Sequence, residues 1–221
     1  MNPLFLILPL ALHAAPEPDA PVSAYLEAAC AEEVRAKGPQ DPDAEPTTAD
    51  MRNAEDARVA CSKKAMEKEL DAFLVPLKKK DPAAFKAWMA LQADYNRWTS
   101  ASCDIDERLS GEGGSMAGFT EMACAQRARS HRAWFAKQLA SGDLKPFWTV
   151  VDAMQSKGKA GVQEVAKQLA EDPDLKKALE AKLKETNATT EKLAAGHCKA
   201  LAGAPSDCAA KLAAYFHAVG V

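Results

Sequence analysis

The chain predicts an all-α fold: antiparallel helical hairpins stapled by disulfides, with an additional helical region at the C-terminal end. Three observations carry this. Of its 221 residues 48% are hydrophobic, but much of that is alanine and only 6% of the chain is aromatic. With few β-branched residues and a polar remainder rich in Lys and Glu, that composition favours helix over sheet. Apolar residues recur at helical spacing along most of the length. Six cysteines follow a short apolar leader, and an even count in an exported chain reads as three bridges.

The leader runs from Leu4 to Leu12, interrupted by Pro9 and followed by His13-Ala14-Ala15. It is about half the roughly 20 apolar residues that a membrane-spanning helix needs. It fits the hydrophobic segment of a secretory signal with small residues at the cleavage point. Residues 1–14 are therefore expected to be a signal peptide cut after Ala14, with residues 15–21 a flexible, Pro-rich mature N-terminus. No cysteine lies near the cut for lipid attachment. The expected location is the periplasm or the exterior, with no stable membrane span.

Each helix has its own signals. Val22, Leu26, Ala29/Cys30 and Glu33/Val34 predict a helix over 22–37, and the prolines of 38–46 a loop. Thr47 or Thr48 can cap a helix reaching about residue 80, with Pro76 expected to kink it or end it early. Asp81-Pro82 is a start signal, with Asp as cap and Pro in the first turn. Phe85, Trp88/Met89, Gln92, Tyr95 and Thr99 mark one face of a helix ending near Cys103. Gly111-Glu112-Gly113-Gly114-Ser115 predicts a turn. Phe119, Met122/Ala123, Trp134/Phe135 and Leu139 predict a helix over 117–140. Ser141-Gly142-Asp143 then separates a domain of residues 22–142 from an extension of residues 143–221. Shorter helices are expected there near 144–155, 160–171, 174–186, 188–202 and 206–218.

Six cysteines permit fifteen connectivities. The sequential one is favoured because each pair straddles a single loop: Cys30–Cys61, Cys103–Cys124 and Cys198–Cys208. The alternative for the last pair is a metal site of His197, Cys198, Cys208 and His217. It is less favoured, because exported cysteines usually pair and the spacing makes no compact zinc motif. No metal or cofactor is expected.

The formal net charge is −3. Residues 16–142 carry 17 Lys and Arg against 21 Asp and Glu, and residues 143–221 carry 11 against 10. Neither part has the basic excess of a nucleic-acid binder. No nucleophile motif appears, Ser115 has no identifiable base, and His131, His197 and His217 are scattered, so no enzyme is expected. Trp88, Tyr95, Trp98, Trp134, Phe135 and Trp148 read as packing residues. Arg127, Arg129 and Arg132 read as solvated, or as paired with Asp or Glu on a neighbouring helix.

Gln92, Tyr95 and Cys103 on one helix, Gly113-Gly114-Ser115, Cys124, and Arg132 on the next helix form a pattern. It resembles the lysozyme inhibitor LprI-like family of small secreted domains, over about residues 25–140. Cys30 and Cys61 match an earlier cysteine pair of that family. Tyr95 stands where the family usually has Trp, Thr99 where it has Arg, and Leu70-Asp71 where it has Leu-Asn. The resemblance implies a helical, disulfide-stapled envelope protein, with lysozyme inhibition as the activity of some members.

The expected partner-binding residues are Asp104, Asp106, Glu107, Arg108, Glu112, Gly113, Gly114 and Ser115, on or beside the Cys103–Cys124 turn. Four acids against one base would steer a basic lysozyme. Ser115 or Arg108 would then meet the two catalytic carboxylates of its cleft. The alternative is a structural or adaptor protein that holds another envelope protein through the C-terminal helices.

Overall fold

A computed structural model describes residues 17–37, 45–111 and 118–220. The expected leader 1–14 and the turn residues Glu112, Gly113, Gly114 and Ser115 lie outside the described residues. The fold is all-α, with no strand among the described residues. The helices are α1 (Ala20–Lys37), α2 (Thr48–Lys80), α3 (Pro82–Ser110), α4 (Phe119–Ser141), α5 (Lys145–Glu171), α6 (Pro173–Ala200) and α7 (Cys208–Gly220). None is long and apolar enough to cross a membrane.

Local chemistry sets most of the starts. Of the two candidate threonines, Thr47 caps α2: its hydroxyl accepts from the Asp50 amide at 3.2 Å, while Asp50 accepts from the Thr47 amide at 2.9 Å. This reciprocal arrangement satisfies two donors that a helix start leaves open. Asp81 and Asp172 cap α3 and α6 by a one-way bond, accepting from the Ala84 and Leu175 amides at 2.9 Å, and each is followed by a proline in the first turn. Gly111 and Gly142 close α3 and α4 at φ of 64° and 75°, a region that side-chain-bearing residues avoid.

Three helices run further than their sequence signals suggest, and α2 reaches Lys80 as expected without stopping at Pro76. α2 passes through Pro76, because Leu70 and Leu74 before it and Leu77 after it all pack on the core. α3 continues past Cys103 because Ile105 is fully buried and extends the apolar face. α6 is one helix, since Thr186 and Thr190 are buried in mid-helix, and the Thr190 hydroxyl bonds back to the Thr186 carbonyl at 2.9 Å. α5 is also unbroken. Its Gly158 is a close-packing position: a Cβ there would lie 1.9 Å from the Ala214 carbonyl oxygen of α7.

α4 lies along α2, α1 rests on both, and α7 is wedged against α3, α4, α5 and α6. One hydrophobic core spans residues on both sides of Ser141–Asp143, from Val22 and Trp88 to Tyr215 and Val219. The two stretches separated at that point in the sequence thus share their interior. Trp88, Tyr95, Trp98, Trp134 and Phe135 are buried and Trp148 packs against them, so the aromatic residues are interior packing. The ring of Phe135 stacks on Phe147 at 4.2 Å between centroids, and Trp98 lies 5.4 Å from Phe216, which joins α3 and α4 to α5 and α7.

The cysteines pair sequentially, with Cα separations of 5.8 Å for Cys30–Cys61, 5.4 Å for Cys103–Cys124 and 5.9 Å for Cys198–Cys208. The expected metal alternative is corrected by this pairing, since Cys198 and Cys208 have no thiolate left to give. Among the described residues no cluster suited to a metal ion occurs.

Non-reducing peptide mapping should recover these three linked pairs, and the double substitution Cys103→Ser/Cys124→Ser should lower unfolding free energy by about 3 kcal/mol. An unchanged denaturation midpoint in that variant would contradict the role given to the bridge. Gly158→Ala should destabilise by roughly 2 kcal/mol, as overpacked cores do. Chemical denaturation checks this, and a neutral result would mean that α5 and α7 are further apart.

Candidate functional site

The base of the α3–α4 turn is held on both sides. Cys103 and Cys124 are buried, and the bridge between them ties the end of α3 to the first turns of α4. Glu107 crosses the turn. One carboxylate oxygen accepts from the Gly118 amide at 2.7 Å and the other from the Glu121 amide at 3.1 Å. It therefore supplies the N-terminal cap that Gly118 lacks a side chain to make, with its charge at the positive end of the α4 dipole.

The other acids of the expected site are also occupied. Asp104 accepts from Arg108 at 2.9 Å and from Lys182 of α6, and these cations hold its carboxyl below the usual range. Asp106 pairs with Arg127 of α4 at 3.3 Å. The local charge read from the sequence included only Arg108. Lys182 and Arg127, far away in sequence, offset most of what remained, so the acidic edge exerts less pull on a basic partner than the sequence suggested.

Arg127 joins this turn to a surface groove. It donates to the Val219 carbonyl at 2.7 Å and also lines a groove of about 870 Å³ between α1, α2 and α4. Val22, Leu26, Cys30 and Val34 form the apolar side of the groove, and Glu55, Arg58 and Arg127 stand among its polar lining. The groove carries no sequence motif; it arises because α1 leans on α2 and only touches α4.

A second polar centre lies inside the molecule, and here the sequence reading needs correction. Arg132 is neither solvated nor paired with an acid. It is 3% exposed, and its Nε donates to Gln92 Oε1 at 2.6 Å and its Nη1 to His197 Nε2 at 2.8 Å. The rings of Tyr95 and Phe135 cover the guanidinium at 4.9 and 5.5 Å. Burial lowers its pKa to about 10, which still leaves it charged at neutral pH. His197 Nδ1 donates to the Leu193 carbonyl at 2.7 Å, so the ring is the neutral tautomer that accepts from Arg132. Burial first, and the Arg132 charge second, push its pKa down to about 3.

His131 is buried beside this centre. Its Nε2 faces Asp19 at 3.4 Å, and its Nδ1 accepts from the Tyr215 hydroxyl at 2.9 Å. The hydrogen bond from His131 leads the causes that hold the Asp19 carboxyl at about 2. Burial lowers the His131 pKa despite that carboxylate. Arg129 donates to the Val59 carbonyl at 3.5 Å. Gln92 and Arg132 were both singled out in the sequence, but nothing there showed that they meet; the shared buried face of α3 and α4 brings them together.

No family model, curated protein or solved structure matches this chain.

The buried histidines set a pH dependence. Their unfolded pKa lies near 6.5, above the folded value, so between the two the unfolded chain binds more protons. Stability should be full above about pH 6.5 and fall as the pH drops below it. His197 alone accounts for about 2 kcal/mol of loss at pH 5. Denaturation of His197→Gln across this range should show a flatter slope than the unaltered protein; an equal slope would mean that His197 does not titrate on unfolding.

Proposed function

We propose that this is an exported, non-enzymatic binding protein of the lysozyme-inhibitor kind, acting through the end of the molecule that carries the α3–α4 turn. The observation that carries this reading is the double anchoring of that turn, by the Cys103–Cys124 bridge and by Glu107 on the amides of Gly118 and Glu121. Residues between Gly111 and Gly118 leave from and return to a rigid base. Fixing Gly111 and Gly118 in advance spares a partner the cost of ordering these two ends on binding. The resemblance of the Cys103–Gly113-Gly114-Ser115–Cys124 pattern to secreted inhibitors points the same way. The three disulfides suit an oxidising compartment, which supports export through the residue 1–14 leader.

Attraction by charge is the lesser part of the mechanism, because Asp104 and Asp106 are neutralised internally. Contact is the greater part: Arg108 and Ser115 meet the carboxylates of the partner's cleft, and the neighbouring groove rim broadens the interface. Binding through the C-terminal helices is the weaker reading. α7 is consumed by the core, which leaves only the outer parts of α5 and α6 to a partner.

Turnover of a basic lysozyme on cell-wall substrate tests the proposal. Micromolar excess of oxidised mature protein should slow lysis, and the double variant Arg108→Ala/Ser115→Ala should inhibit at least about 10-fold less. Val162→Asp, at an exposed position of α5, should leave inhibition unchanged. Undiminished lysis with the unaltered protein would overturn the reading.

A further inference from the structure

The corner where α2 meets α3 is basic and apolar at once. Between Ala72 and Ala93 the chain holds Lys78, Lys79, Lys80 and Lys86 against a single acid, Asp81. The Asp81 carboxylate is engaged at 2.9 Å by the Ala84 amide that it caps. All four lysines are exposed, and among the described residues none of them forms an ion pair. Lysines in the last turn of α2 suit its dipole, but Lys86 stands near the start of α3, where a helix favours anions. Four large apolar side chains are exposed among the described residues, and two of them are here: Val75 at 54% and Met89 at 44%.

Helical spacing and one contact put these groups on a common face. Val75 lies about one turn before Lys78 and Lys79 on α2, and Phe85 and Lys86 lie about one turn before Met89 on α3. The Lys78 ammonium is 5.6 Å from the centre of the Phe85 ring, which brings the two stripes together.

The make-up of this face selects its occupant. Protein partners are held best by arginine and aromatic anchors. Here there is no arginine, and the one aromatic ring, Phe85, is half-buried against the core. Lysines are flexible point charges that demand no fixed geometry from what they bind. A nucleic-acid strand would answer the charge but not Val75 and Met89. An anionic bilayer answers both, since its surface potential attracts ammonium groups and its headgroup boundary admits short apolar side chains.

We propose that the α2–α3 corner docks reversibly on anionic lipid bilayers, with Lys78, Lys79, Lys80 and Lys86 on the headgroups and Val75 and Met89 entering the interface. Lys86 lies about 25 Å along α3 from Cys103, so docking leaves the α3–α4 turn free and does not depend on what that turn binds.

Co-sedimentation of the oxidised protein with vesicles tests this. Vesicles of phosphatidylcholine with about one third phosphatidylglycerol should bind it at least about 10-fold more tightly than phosphatidylcholine alone. Raising salt from about 0.1 M to about 0.5 M should release it. Lys79→Gln/Lys80→Gln/Lys86→Gln should weaken binding at least about 30-fold. Lys167→Gln/Lys176→Gln/Lys177→Gln removes the same charge from the ends of α5 and α6 that lie beyond the Lys182–Asp104 pair, and should change little. Val75→Ser/Met89→Ser should weaken binding at least about 5-fold with the salt dependence kept. These positions are all exposed, so the variants should fold. Equal binding to neutral and anionic vesicles, or equal losses from the two lysine triples, would overturn the proposal. So would undiminished binding by Val75→Ser/Met89→Ser, which would mark the corner as a site for any polyanion.

Discussion

A guanidinium buried among neutral partners governs how the centre of this molecule is built. Arg132 donates hydrogen bonds to Gln92 on α3 and His197 on α6, and the rings of Tyr95 and Phe135 cover it. Each partner must hold one orientation. Gln92 must offer its oxygen, a choice reinforced by its amide nitrogen donating to Asn96 at 2.8 Å. His197 must be neutral, with its other proton on the Leu193 carbonyl. Removing one member strands the others in a low-dielectric interior, where each unpaired polar group costs about 1–3 kcal/mol and a charge more. The arrangement therefore selects one packing of α3, α4 and α6 rather than adding much net stability.

The disulfides act at the margins of this centre. Cys30–Cys61 holds α1 to α2 within a small separate apolar cluster. Cys198–Cys208 holds α6 to α7 across a short connection. Cys103–Cys124 joins the two helices that carry Gln92 and Arg132, but at their far end. The polar centre and this bridge thus fix the α3–α4 hairpin at two points along its length, and Glu107 adds a third. A hairpin fixed at three points resists both splaying and sliding, which holds Gly111 and Gly118 in place at its end.

What could be read from the sequence follows from the range of the interactions. Capping at Thr47 and Asp81 involves residues three apart, and these starts were readable. So was the cysteine pairing, because each bridge closes one loop. The continuity of α5 was not: separate helices near 144–155 and 160–171 were expected, and only the proximity of α7 shows that Gly158 is there to let two backbones approach. Lys182 and Asp104 lie 78 positions apart, and Arg132 and His197 lie 65 apart. No local pattern announces such pairs, so the charge of the turn and the burial of Arg132 were both misjudged from the chain alone.

These long-range contacts also bear on how a partner would be recognised. An acidic edge open to solvent attracts many basic proteins with little discrimination. An edge whose carboxylates are already bonded to Arg108, Lys182, Arg127 and the α4 amides keeps its shape and offers little net charge. Selectivity at such an end must come from complementary contact with a rigid outline, because the desolvation of groups already paired within the protein gives little return to a poorly fitting partner. The same pairing that weakens long-range steering fixes the base from which the turn leaves and to which it returns, and through Lys182 and the Val219 carbonyl that base depends on α6 and α7 as much as on the hairpin itself.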